Sequence, residues 1–172
     1  MKFFLSLIVF FLIFSRPALS EQKIVFVDMD RLISISKPGS SFFNQLKDIN
    51  NKNLVFLKNE EKKFKEKEKK LLAQKNIISE TDFQNNVDKL KSEINNYNQN
   101  RKKMIDKFNK LKVENTNNLL KLINPLLVKY STENKISIIL QKKDLIIGNT
   151  ELDITNEIIK IVNNKIKDFK IK

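Results

Sequence analysis

From Phe83 to Leu122 the chain keeps one stripe without a slip. Phe83, Val87, Leu90, Ile94, Tyr97, Arg101, Met104, Phe108, Leu111, Asn115, Asn118 and Leu122 follow one another at alternating steps of four and three. Nine of these twelve positions are apolar; Arg101, Asn115 and Asn118 are the exceptions. Apolar residues every 3.5 positions mark a helix that buries a narrow seam against another helix. The two Asn near its end predict looser packing there.

A partner helix lies just upstream. Leu46, Ile49, Leu54, Leu57, Phe64 and Leu71 give a looser seam from Phe42 to about Lys75, and the Glu and Lys residues from Glu60 to Lys70 suit its wet side. Ser79 followed by Asp82 resembles a capping box and predicts a new helix start. Two seamed helices joined by so short a break fold back as an antiparallel hairpin. Leu71 is then expected opposite Phe83, Phe64 opposite Leu90, and Leu57 opposite Tyr97. The second helix continues to about Tyr130, with a kink expected at Pro125, which removes a backbone hydrogen bond.

The ends of the chain supply a base. Ile24 to Val27 reads as a buried strand and Met29 to Ile35 as a short helix, with Lys37-Pro38-Gly39 as a break and Ser40 or Ser41 as the next cap. Ile136–Leu140 and Leu145–Ile147 read as a β-hairpin turning at residues 141–144. A last helix capped by Asp153 or Thr155 carries Ile158, Ile161, Val162 and Ile166 on one face. The fold class is therefore α+β and mostly α: a small β-rich body with a long helical-hairpin arm. The divisions expected are a leader over 1–20, body over 21–45, arm over 46–119 and body again over 120–172. A body of this size with three short strands buries too little surface to hold so long an arm alone, which points to self-association.

The first twenty residues read as a secretory signal peptide. Lys2 precedes an apolar run from Phe3 to Phe14, followed by Arg16, Pro17 and Ala18-Leu19-Ser20, with cleavage expected before Glu21. The run is shorter than the roughly 20 residues that span a bilayer. The mature chain is expected in a periplasm. Its charge is strongly basic: the full chain has 33 Lys and Arg against 20 Asp and Glu, a net of +13. Such a surplus attracts anionic partners, including acidic proteins and anionic lipid headgroups. No basic platform interleaved with aromatics is present, so no specific nucleic-acid partner is expected. With no His, no Cys and two Gly in the whole chain, the usual general base, thiol nucleophile and phosphate loop are missing, and neither an enzyme nor a cofactor is expected.

Val55, Phe56, Leu72, Ile105 and Val113 sit beside the seams and not on them. They are either ordinary flank packing or a working surface. Together with Lys62, Lys63, Lys69 and Lys70 they are the candidate binding residues.

Several strings resemble the Skp/OmpH family of periplasmic chaperones: Ile24-Val25-Phe26-Val27-Asp28-Met29-Asp30-Arg31 at the start, Pro125 in the returning helix, then Ile138-Ile139-Leu140, Asp144 and Leu152-Asp153-Ile154-Thr155. The resemblance implies a homotrimer whose arms surround a cavity that holds unfolded outer-membrane proteins without ATP. The seam alone fits a second reading, a structural coiled-coil protein of the cell envelope.

Overall fold

A computed structural model describes residues 22–172. The expected leader and its cleavage site lie outside the described residues. The elements in order are β1 (Lys23–Val27), α1 (Met29–Ile35), α2 (Lys37–Gln74), α3 (Glu80–Glu133), β2 (Ile136–Gln141) and α4 (Thr155–Lys165), with single 3-10 turns at Lys142–Asp144 and Thr150–Leu152. The fold is mostly α with one small sheet, and α2 with α3 makes the arm. At 1.5 Å per residue these helices are about 57 and about 81 Å long.

The sheet joins the two ends of the chain. β1 and β2 run parallel, with Ile24 beside Ile138, Val25 beside Ile139, Phe26 beside Leu140 and Val27 beside Gln141. Parallel strands need a long crossover, and here the whole arm is that crossover. The expected hairpin between Ile136–Leu140 and Leu145–Ile147 does not form. Residues 142–144 turn as a 3-10 helix, and Ile146 and Ile147 project into solvent at 99% and 89% exposure. Their β-branched character is a weak strand signal that depends on packing against neighbours, and here the chain turns away from β2 through residues 142–144.

Behind the sheet lies the core, made by Val25, Val27, Leu32, Phe42, Leu46, Leu119, Ile123, Ile136, Ile154, Ile158 and Val162. The root of the arm is thus part of the body's core. Here the seam changes step. The apolar residues from Phe83 to Leu111 on the predicted stripe are all half-buried, but Leu122 is 49% exposed while Asn115, Leu119 and Ile123 are buried. A two-helix contact selects a 3.5-residue repeat, whereas a helix sunk among several elements buries residues four apart over a broader face. Asn115 is not a weak point: at 1% exposure it is fully hydrogen-bonded.

Three local expectations also shift. α2 begins at Lys37, capped by the Ser36 hydroxyl, which accepts the Gly39 amide at 3.3 Å. Neither Ser40 nor Ser41 is the cap. Pro38 stands in the first turn, where its missing N–H is not required, so it starts the helix instead of breaking it. Before α4, Asp153 Oδ1 accepts the Thr155 amide at 3.0 Å, although the cap position itself is Ile154. α3 runs unbroken through Pro125 to Glu133, slightly beyond the expected Tyr130.

Both glycines mark close approaches. A Cβ on Gly39 would lie 1.5 Å from the Ile33 carbonyl oxygen, and one on Gly148 would lie 2.7 Å from the Phe26 ring. Lys135 does the opposite, holding a left-handed φ of 53° just after α3, a place that favours glycine. Gly39→Ala is expected to cost about 3 kcal/mol or more, because backbone must move, while Lys135→Gly is expected to stabilise by up to about 1 kcal/mol. Urea unfolding of the two variants against the parent checks both signs.

Candidate functional site

The arm is held by one thin line of contacts. Phe64 of α2 stacks edge-on against Tyr97 of α3, with ring centroids 5.3 Å apart. The Tyr97 hydroxyl donates to Glu61 at 2.9 Å and lies 3.5 Å from the Leu57 carbonyl, and Lys67 pairs with Glu93 at 2.5 Å. Burial, then the hydrogen bond to Glu61 and its charge, raise the Tyr97 pKa, so the phenol stays a donor. The expected pairing of Leu57 with Tyr97 holds as a contact, but the Phe64 ring meets Tyr97 and not only the level of Leu90. Helical side chains lean toward their own N-terminus, so in an antiparallel pair the two sets lean toward each other and meet further from the turn than their Cα levels suggest. The turn itself is set by Ser79, whose hydroxyl accepts the Asp82 amide at 3.1 Å.

No residue between 47 and 114 is fully buried. The five off-seam apolar candidates all face water: Leu72 near the tip at 62%, Val55 and Phe56 midway at 60% and 49%, Ile105 at 47%, and Val113 near the root at 60%. Leu54, which the spacing placed on the α2 seam, lies beside them at 55% exposure instead of against α3. These side chains are dispersed along the arm and form no single pocket. Among the lysines, Lys62 sits 4.0 Å from Glu66 and Lys63 2.7 Å from Glu60, both as exposed pairs within one helix. Lys69 is exposed, and Lys70 lines a shallow groove of about 300 Å³ with Leu71 and Leu90. Exposed pairs of this kind are worth at most about 1 kcal/mol, so each lysine is available to another anion at little cost.

The body carries a second surface that the sequence reading missed. Ile24, Ile138, Leu140 and Leu152 are 41%, 46%, 39% and 39% exposed around the sheet. The signal was present in Ile136-Ser137-Ile138-Ile139-Leu140, a strand with too few polar residues for a water-facing side. Beside this surface the chain locks β1 to α4. The Phe26 carbonyl accepts the Ile154 amide at 3.0 Å, and the Asp28 amide donates to the Thr155 hydroxyl at 2.8 Å. Asp153 also accepts from the Thr155 hydroxyl and from Lys142, the latter at 3.0 Å. Among the described residues no group of His, Cys, Asp or Glu is placed to hold a metal ion, and no helix is long and apolar enough to cross a membrane.

A family model described as outer membrane protein (OmpH-like) matches residues 23–162. The chain belongs to this family. A solved structure from Caulobacter crescentus, described as a candidate outer membrane chaperone (OmpH-like), superposes with a TM-score of 0.79 at 18% identity, covering 90% of each chain. No curated protein matches the chain. The fold assigned above is therefore the OmpH-like fold, and the family match spans β1, the arm and most of α4.

In this OmpH-like chain the Leu152-Asp153-Ile154-Thr155 string is a fastening, since every polar group in it that faces inward is bonded. Burial opposes ionisation of Asp153, but the hydroxyl and amide of Thr155 and the ammonium of Lys142 outweigh it and hold the carboxyl below its ordinary range. A depressed native pKa contributes stability that is complete above the ordinary carboxylate value and is lost as pH falls through the lower native one. Asp153→Asn is accordingly expected to lower Tm at neutral pH. Its Tm should converge with that of the parent only at the acid end, once the pH has fallen through the parent's depressed carboxyl pKa. Thermal melts of both across pH 2 to 7 test this, and a constant offset would count against it.

Proposed function

We propose that the protein is an ATP-independent holdase of the periplasm that keeps unfolded outer-membrane proteins soluble in a cavity between the arms of a homotrimer. The observation that carries this reading is the arm: two helices with no fully buried residue from 47 to 114, carrying exposed Val55, Phe56, Leu72, Ile105 and Val113 among lysines. Clients with many different sequences share no shape for one pocket to fit. Dispersed apolar side chains give many weak contacts, each on the order of 1 kcal/mol. Once the expected leader with Lys2 and Arg16 is removed, 31 basic against 20 acidic residues leave a net charge of +11, which adds long-range attraction for acidic clients and for anionic headgroups at the membrane surface. Release then follows when the client folds into its membrane, and no nucleotide is consumed.

Membership of the OmpH-like family supports the chaperone role and the periplasmic location. The body supports self-association. Ile24, Ile138, Leu140 and Leu152 form an apolar surface around a two-stranded sheet, and such surfaces on small bodies are interaction sites. Three copies joined there give the arms a common interior.

A denatured outer-membrane barrel diluted from urea is expected to stay soluble at one trimer per client. Replacing Val55, Phe56, Ile105 and Val113 together by Ser should weaken capture at least about tenfold, the effect of losing a little over 1 kcal/mol, with helical circular dichroism unchanged. Full protection by the Ser variant would remove these four side chains from the mechanism, whereas failure of the parent itself to protect would leave the structural coiled-coil reading. Light scattering of the mature chain should give three times the monomer mass, and Ile138→Lys should give the monomer.

A further inference from the structure

After α4 the chain does not stop at the family-matched stretch. Residues 166–172 lie beyond the matched residues 23–162 and run extended across both arm helices at the root. The contacts that hold this strap are mostly to its backbone. Gln45 of α2 donates from Nε2 to the Phe169 carbonyl at 2.6 Å and accepts the Ile171 amide on Oε1 at 3.1 Å. Asn115 of α3 accepts the Lys172 amide at 3.0 Å and donates to its backbone oxygen at 3.3 Å. Two side-chain amides thus copy the pairing that a neighbouring strand would offer. Of the strap's side chains, Phe169 is 7% exposed and edge-on to Phe42 at 5.6 Å, and Ile171, two positions on, packs against the same core; Asp168 accepts from the Ser41 hydroxyl at 2.8 Å, Ile166 reaches the core from the start of the strap, and Lys170 and Lys172 face water.

We propose that this groove is a peptide-binding site for extended segments with apolar residues at alternate positions, and that residues 166–172 occupy it as an intramolecular competitor. Recognition through backbone groups does not depend on the identity of the outward residues. Alternation of apolar and polar residues is the pattern of a membrane β-barrel strand, so an unfolded barrel precursor is the occupant that displaces the strap. With the strap out, the buried Asn115 oxygen loses its donor, while its NH₂ keeps the Leu111 carbonyl at 2.9 Å. Another extended backbone can supply that amide in place of Lys172. The identity of the occupant rests on the chaperone reading; the groove and its preference do not.

The experiment uses two labelled seven-residue peptides, one with the sequence of residues 166–172 and one alternating leucine and threonine, together with a control whose leucines are adjacent. A chain ending at Lys165 is expected to bind both alternating peptides, one per protomer and in mutual competition, at least about tenfold more tightly than the intact chain, whose sites are mostly filled. The control peptide should not compete. Binding of neither peptide, or of the strap sequence alone, by a truncated chain of unchanged helical content would overturn the proposal. If truncation prevents folding, the intact chain carrying Phe169→Ser and Ile171→Ser should show the same gain, and no gain there overturns it equally. Because no barrel protein is present, failure here leaves the holdase reading standing, and a failed holdase assay leaves the groove standing.

Discussion

The pairing of β1 with β2 is the constraint on which the rest depends. Two parallel strands at opposite ends of the chain meet only if everything between them leaves the body and returns to the same level. A helical hairpin does this with contacts that spread outward from its turn, and its length is free to vary so long as the two helices match. The body therefore cannot close until β2 is available, and the strand that is made first pairs among the last. Folding of this kind, with a local arm and a distant closure, places the slow step in the body.

Stability is distributed in the same uneven way. All the fully buried apolar residues belong to the body and the arm root, where Phe42, Leu46, Leu119 and Ile123 pack with the sheet and α4. Beyond the root the helices hold each other by a half-buried seam, one aromatic stack and one cross-helix ion pair. Regions with few buried contacts open at low free energy. On the proposed holdase reading, such an arrangement lets the arm adapt to clients of different size, which a rigid rod would not do.

Much of this was legible in the residues themselves. The heptad steps from Phe83 to Leu111 gave the arm, Ser79 and Asp82 gave its turn, and the run Ile24 to Val27 gave the first strand. Each of these signals is local and periodic. What was not legible depended on which distant element arrives. Leu145–Ile147 looks like a strand but follows a 3-10 turn that carries it away from β2, and Asn115 looks like a defect in the seam until Lys172 is seen against it. The off-seam apolar residues were placed in water as side chains, but spacing along one helix says nothing of what they touch when a client is present. Pro38 misled because proline ends a helix only when it is not in the first turn.

The buried arm root also sets a mechanical ratio. Leu46 is the last fully buried residue of α2 before it leaves the body, and the helix continues to Gln74, about 42 Å further at 1.5 Å per residue. A rotation of about ten degrees at the root carries the tip roughly 7 Å over that length. Small repacking around Phe42, Leu46 and Leu119 is thereby converted into a large displacement of the arm's tip. The arm works as a lever whose fulcrum is the core of the body.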